Sequence, residues 1–232
     1  MNTDRLPAWI FSQAAQAVAT ARTTRNQHYR PYPRQVAFHA AGAAHRERLF
    51  MAGNQLGKSL AGAMEVSFHL TGHYPPWWTG RRFGHAVKFW SASDTAETTR
   101  DNVQRHLLGP AHHEAAWGTG AIPKTALVRT VKGRNAPGAL SAIVVRHASG
   151  AESVVAFKSY DQGRSKWQGE SLDGVWFDEE PPLDIYSEGR TRTQATGGIT
   201  LITFTPLLGM SEVVRLFLAA PSSRDPLDRG SG

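Results

Sequence analysis

The chain has 232 residues with 41% hydrophobic content, enough for one large α/β domain or a domain with a small appendage. It has no cysteine, which excludes disulfides and thiolate metal sites, and no apolar run near the roughly 18–20 residues of a membrane span. A net charge of +7 favours a polyanionic partner, nucleic acid first, and the N-terminus lacks the charged-then-apolar pattern of an export signal.

In chain order, Leu6, Ile10, Ala14, Ala17, Val18 and Ala21 predict a helix over 4–21. Arg22, Arg25, Arg30 and Arg34 mark a basic, Pro-containing linker over 22–34. Tyr32-Pro33-Arg34-Gln35 then opens a helical stretch to about His45. Residues 49–51 read as a short strand and 60–70 as a helix. The loop over 74–82 interleaves aromatic residues with Arg81 and Arg82. This suits base stacking and phosphate contact, or equally a Trp77-Trp78 pair pinning the loop to a core. A strand is expected over 86–90 and a polar helix over 94–108, with Ser93 or Asp94 as N-cap. Strands at 143–145 and 154–157 flank Ala148-Ser149-Gly150 as a hairpin. Further strands are expected at 174–177 and 199–204, a helix at 213–220, and a polar tail after it. The division is therefore a helix and linker over 1–30, a main domain over 31–220 and a flexible tail over 221–232.

Between the first strand and its helix lies Ala52-Gly53-Asn54-Gln55-Leu56-Gly57-Lys58-Ser59. Strand, glycine-containing loop, Lys-Ser and helix together form the setting of a phosphate-binding loop. Backbone N–H groups from Gly53, Asn54, Gln55, Leu56 and Gly57 would cradle phosphates. Lys58 would reach the β- and γ-phosphates, and the Ser59 hydroxyl would ligate Mg²⁺. The positive end of the helix adds to this. One departure is Ala52, where the common pattern has glycine. Gln35, upstream, has an amide able to read an adenine edge.

Val175-Trp176-Phe177 delivers Asp178, Glu179 and Glu180 at a strand end. Beside a phosphate loop, the first carboxylate organises Mg²⁺ and the next activates water. Glu179 is favoured over Glu180 as that base. Thr203-Phe204-Thr205-Pro206 ends the next strand with a hydroxyl that could sense the γ-phosphate.

The set AGNQLGKS, VWFDEEPP and TFTP, in that order, resembles the N-terminal packaging ATPase domain of the large terminase subunit of tailed phages. The upstream YPRQ and the run from Asp161 to Gly169 support the resemblance, which covers about residues 30–215. It implies a RecA-like ASCE P-loop NTPase fold, a mostly parallel sheet flanked by helices. The strand ending at Thr205 would lie between the loop strand and the acidic strand. It implies ATP and Mg²⁺ as cofactors, with Lys58 and Ser59 on nucleotide and metal, Asp178 on the metal, Glu179 as base, Gln35 reading adenine and Thr205 coupling. The implied partners are double-stranded DNA, the portal protein and procapsid, the small terminase subunit and, when docked, further copies in a ring. The implied location is the host cytoplasm, away from membranes.

Two departures from the family stand out. Many large terminases carry a loop arginine where this chain has Asn54, so a trans-acting arginine is expected, with Arg164 first and Arg100, Arg129 or Arg146 next. The alternative for Arg164 is a surface pair with Asp161 or Glu170. The family's C-terminal nuclease domain is expected to be absent, with 26 residues after Pro206. The competing readings are another RecA-like nucleic-acid-dependent ATPase, helicase- or recombinase-like, and a nucleic-acid-binding module with an inactive loop. A metal-dependent nuclease using Asp173, Asp178, Glu179, Glu180 and Asp184 is a third.

Overall fold

A computed structural model describes residues 8–206, 209 and 211–219. Seven strands form one sheet in the order β1-β7-β6-β2-β5-β4-β3. They are β1 (Glu47–Met51), β2 (Lys88–Ser93), β3 (Leu127–Lys132), β4 (Leu140–Arg146), β5 (Glu152–Ser159), β6 (Gly174–Asp178) and β7 (Ile199–Phe204). Pairing is parallel from β1 to β5 across the sheet and antiparallel for β5-β4-β3. β7 lies between β1 and β6, as the resemblance implies, with Phe50 opposite Thr203 and Thr203 opposite Asp178. β6 and β7 are buried throughout, which is why both read as largely apolar runs, β6 ending in Asp178 and β7 interrupted by the buried Thr200 and Thr203.

The helices are α1 (Ala8–Thr23), α2 (Pro33–Ala41), α3 (Lys58–Thr71), α4 (Ala96–Thr98), α5 (Arg105–Leu108), α6 (Leu183–Gln194) and α7 (Glu212–Ala219). The expected first helix is therefore present as α1, although Leu6 lies outside the described residues, as does 221–232. Over residues 12–22 its apolar positions meet no core: all are exposed, Val18 by 61%. The basic segment after α1 is more than a connector, because Asn26 and Tyr29 are buried. The helix expected over 94–108 is not uniform. Thr95 caps it by accepting from the Thr98 N–H, and Thr99–Gln104 is wound as a π-helix between α4 and α5. Two elements escaped the sequence reading: the exposed edge strand β3 and the polar helix α6, which follows Pro181-Pro182.

Two apolar clusters occupy the two faces of the sheet. One gathers α3 residues such as Met64 and Phe68 with Trp176, Ile199 and Leu201. The other holds Trp167, Phe177, Tyr186, Ile202 and Phe204. Alternation along β6 sends Trp176 to the first and Val175 and Phe177 to the second. The aromatic loop serves the core, with Trp78 buried against Phe68 and His39. A buried polar cluster sits in the first face. Glu65 of α3 accepts from Arg48 of β1, and lies 2.6 Å from His39 Nδ1 of α2 and 3.4 Å from His69 Nε2.

α3 crosses β6 closely at Gly62, where an added Cβ would stand 2.6 Å from Trp176 ring atoms. Trp176 cannot swing freely, because its Nε1 donates to Thr203 Oγ1 at 2.8 Å. Gly62→Val should therefore destabilise the fold by about 2 kcal/mol through overpacking, outweighing the small helix-propensity gain. Gly84→Ala, with nothing within 4 Å, should melt like the parent. Equal melting temperatures for the two variants would contradict this packing.

Candidate functional site

The carboxyl ends of β1, β7 and β6 lie side by side, so the segments leaving them share one rim. The loop after β1 is tied to that rim where the Ala52 N–H donates to Phe204 O at 3.3 Å. Gly57 has φ +76°, a left-handed turn that aims the following residues into α3. Lys58 opens α3 and is only 6% exposed, while residues 53–56 are exposed. A buried ammonium beside exposed loop amides at a helix N-terminus suits an anion.

Asp178, at the end of β6, is buried. Burial pushes its pKa up to about 6, against the Ser59 and Thr203 hydroxyls and the Lys58 charge. Trp176 Nε1 donates to Thr203 Oγ1, and Thr203 Oγ1 donates to Asp178 Oδ1 at 2.8 Å. The aromatic core thus fixes the carboxylate's orientation. Asp178 and the Ser59 hydroxyl together offer hard oxygen donors of the kind Mg²⁺ takes, and a cation there would relieve the cost of ionising a buried acid.

Glu179 follows with φ +79°. Among the described residues, the non-glycine positions with positive φ are Gln55 and Glu179, and both stand at this site. Such backbone costs about 1–3 kcal/mol and persists only where surroundings impose it. Here the Glu179 N–H donates to Thr203 O at 2.9 Å, and Tyr160 OH donates to Glu179 O at 2.8 Å. Burial raises the Glu179 pKa, Lys58 and a Thr205 backbone bond lower it, and Asp94 raises it. Glu180 is shifted up by burial alone, and its Oε1 is buried with no partner among the described residues. Of the two glutamates, Glu179 is the one that senses Lys58. Thr205 Oγ1 donates to Asn54 Oδ1 at 2.9 Å, joining the β7 end directly to the loop.

Gln35 is buried beside the loop, where its Nε2 donates to Gly57 O at 2.9 Å and its Oε1 accepts from the Tyr32 N–H at 2.8 Å. Next to it lies a cavity of about 580 Å³ whose walls include Arg25, Arg30, Tyr32, Gln35 and Gly57. Arg25, Arg30 and Tyr32 were not singled out as site residues in sequence. The signal was there in an aromatic residue set among arginines just before Gln35, which suits stacking and charge.

Arg164 is not part of this constellation. Its Nε donates to Glu188 Oε2 at 3.0 Å, and Arg192 shares that carboxylate at 3.0 Å. Neither expected partner holds it: Asp161 accepts from Ser159 at 2.5 Å, and Glu170 lies 3.9 Å from Lys88. Nor do the acids of the nuclease reading gather. Asp173 precedes β6 and Asp178 ends it, roughly 17 Å apart along an extended strand. Among the described residues no three His, Cys, Asp or Glu side chains are grouped to hold a metal.

A largely parallel sheet with a Lys-Ser loop after β1, an acidic pair after β6 and an intervening β7 is the RecA-like ASCE architecture of P-loop NTPases. Comparison with known proteins narrows this class. The family described as "Terminase large subunit, T4likevirus-type, N-terminal" matches residues 49–225. The large terminase subunit of Salmonella phage P22 is 45% identical over 219 residues, covering 85% of this chain and 44% of that protein. The large terminase subunit of Enterobacteria phage LP7 is 43% identical over 54 residues, 23% of this chain and 11% of its own length. The large terminase of a thermophilic bacteriophage shares the fold, with a TM-score of 0.51 at 13% identity over 75% of this chain and 39% of that one. The chain belongs to the large terminase subunit family, and it spans less than half the length of these relatives.

The strained backbone at Glu179 generates a stability test. Glu179→Gly should be more stable than Glu179→Ala by about 1 kcal/mol, because only glycine adopts positive φ without a Cβ clash. In a chain this size that is a melting-temperature difference of about 2–4 °C. If the alanine variant melts at or above the glycine variant, Glu179 is not under backbone strain.

Proposed function

We propose that the chain is the ATP-hydrolysing domain of a viral DNA-packaging motor, driving double-stranded DNA into a procapsid. The observation that carries this reading is the convergence of Lys58, Ser59, Asp178 and Glu179 on one rim, with Lys58 and Asp178 buried. Loop amides and Lys58 bind the β- and γ-phosphates. Ser59 and Asp178 hold Mg²⁺, which supplies charge neutralisation to the phosphates. Glu179 accepts a proton as water attacks the γ-phosphorus and the bond to the bridging oxygen breaks, giving ADP and phosphate. Its upward-shifted pKa suits a base better than an ordinary surface carboxylate. Gln35 reads the adenine edge, since its amide oxygen and nitrogen each retain one unused hydrogen-bonding capacity, and Tyr32 supplies a stacking face. Thr205, through Asn54, reports the state of the loop to β7.

On this reading the partners are duplex DNA, the portal protein and procapsid, the small terminase subunit, and further copies forming a docked ring in the host cytoplasm. Arg164 is the proposed trans-acting arginine. It is an exposed side chain held by one nitrogen to Glu188, which leaves its terminal nitrogens to cross an interface.

Lys58→Ala should abolish measurable ATP binding while the domain still folds. Glu179→Gln should keep Mg-ATP binding and lose about 10²–10⁴ in turnover, because an amide cannot take the proton. Equilibrium nucleotide binding and single-turnover hydrolysis separate these effects, and a folded, fully active Lys58→Ala protein would overturn the reading. For Arg164→Ala, slow basal turnover should persist while capsid-docked acceleration is lost, about 10³–10⁵ for a finger of this kind. Mixing with Lys58→Ala subunits should restore part of it. Unchanged acceleration would rule out Arg164.

A further inference from the structure

A second charged cavity stands on the same rim, beyond the acidic strand. It holds about 280 Å³ between the π-helical segment, the turn joining β3 to β4, and the end of β5. Arg100, Lys132 and Arg134 line it, Lys158 reaches it through its backbone, and no carboxylate does. The cavity is built rather than incidental. Gln104, buried to 1%, donates to Gly138 O at 3.0 Å and accepts from the Leu140 N–H at 2.9 Å. Arg100 Nη1 donates to Pro137 O at 2.8 Å, so two side chains of the π segment clamp the turn that carries Arg134. The Lys158 ammonium turns to the opposite face of the sheet, 4.5 Å over the Trp90 ring of the second cluster and donating to Lys166 O at 2.8 Å. Thr99 accepts from the Ser93 N–H and donates to Lys158 O, both at 3.0 Å, fixing the cavity floor to β2 and β5.

The charge balance inside is strongly one-sided. Acids stand behind the walls rather than in them: Asp101 neutralises part of Arg100 through two bonds of 2.8 Å, and Asp161 accepts from the lining Ser159 at 2.5 Å. Lys132 is held only by a 4.0 Å approach to Glu114 and is otherwise in solvent, and Arg134 is exposed at the mouth. A deep guanidinium with two further cations reaching outward fits a polyanion that enters with one phosphate and continues past the opening. This is the geometry of a nucleic-acid backbone rather than of an isolated ion.

We propose that this cavity is a backbone-phosphate site for duplex DNA, with Arg100 at its base and Lys132 and Arg134 at its lip. The proposal rests on the motor reading above and adds where the duplex is gripped. β5 stands four strand spacings from β1, about 19 Å along the rim, so the grip and the nucleotide site occupy one edge without overlapping. The π segment links them physically. Its upstream neighbour Asp94 acts on Glu179, and its Arg100 enters the cavity.

The test measures anisotropy of a fluorescent duplex with the full chain across a salt series. Lys132→Gln/Arg134→Gln, both exposed and harmless to folding, should weaken duplex binding about tenfold at low salt and reduce the salt slope by about 2. Lys88→Gln/Arg146→Gln removes the same charge from the opposite rim and should change both far less. Arg100→Lys, which keeps the charge but loses the fork, should weaken binding with little change in slope. Equal loss in both double variants would overturn the site while leaving the motor reading intact. A parent chain that turns over ATP yet binds no duplex would overturn the DNA grip and leave the nucleotide assignment standing. Inorganic phosphate at constant ionic strength is the last arm. If it raises the parent's melting temperature but not that of the lip variant, and duplex does not bind, the cavity takes free phosphate and the DNA proposal falls.

Discussion

Glu65 lies at zero exposure in the middle of α3, with Arg48 of β1, His39 of α2 and His69 closing around it. Burial alone would raise its pKa, but Arg48, with the two histidines, holds it well below the usual carboxylate range. A charge so placed is costly unless every partner stays in position, and removing one partner of such a pair costs about 3–5 kcal/mol. The cluster therefore acts less as a net source of stability than as a locator. It fixes the strand before the loop, the helix after it, and the helix carrying Gln35, in one arrangement. Tyr74 extends it to the aromatic loop through a 3.0 Å contact with His69. Gln35 can hold Gly57, and Gly57 can set the direction of Lys58, because these three elements cannot slide.

The opposite wall of the site is set by a different device. Trp176 is a core residue, yet its indole N–H begins the chain of bonds that ends on Asp178. The acid's orientation is thus linked to how tightly α3 packs on β6 at Gly62. Glu179 is then held in a conformation that its own side chain opposes. The fold spends stability at this corner, and the surrounding bonds from Thr203 and Tyr160 keep the carboxylate where relaxation would remove it.

Much of this was legible in the chain because the informative residues are contiguous. Loop and helix start share eight residues, and the fully buried β6 and β7 announce themselves as apolar runs ending in polar residues. What escaped was either amphipathic in a weak way or assembled from distant pieces. β3 alternates poorly because it is an exposed edge, and α6 buries few apolar side chains beyond Ile185 and Tyr186. The change to π winding at Thr99 is a shift in hydrogen-bond register that side-chain periodicity does not encode. The two cavities draw on segments dozens of residues apart, and Arg164's partner Glu188 lies 24 positions away.

The π segment also sets a phase. Each α-helical residue turns the chain by about 100°, and a wider turn absorbs surplus residues before α5 begins. Val103 and Leu107 are both fully buried, whereas Arg100 points into the basic cavity. Regular winding over the same length could not keep both faces, because the surplus would rotate one of them away. The segment behaves as a phase adjuster between a wall built for charge and a wall built for oil, and its length in residues is as constrained as any side chain in it.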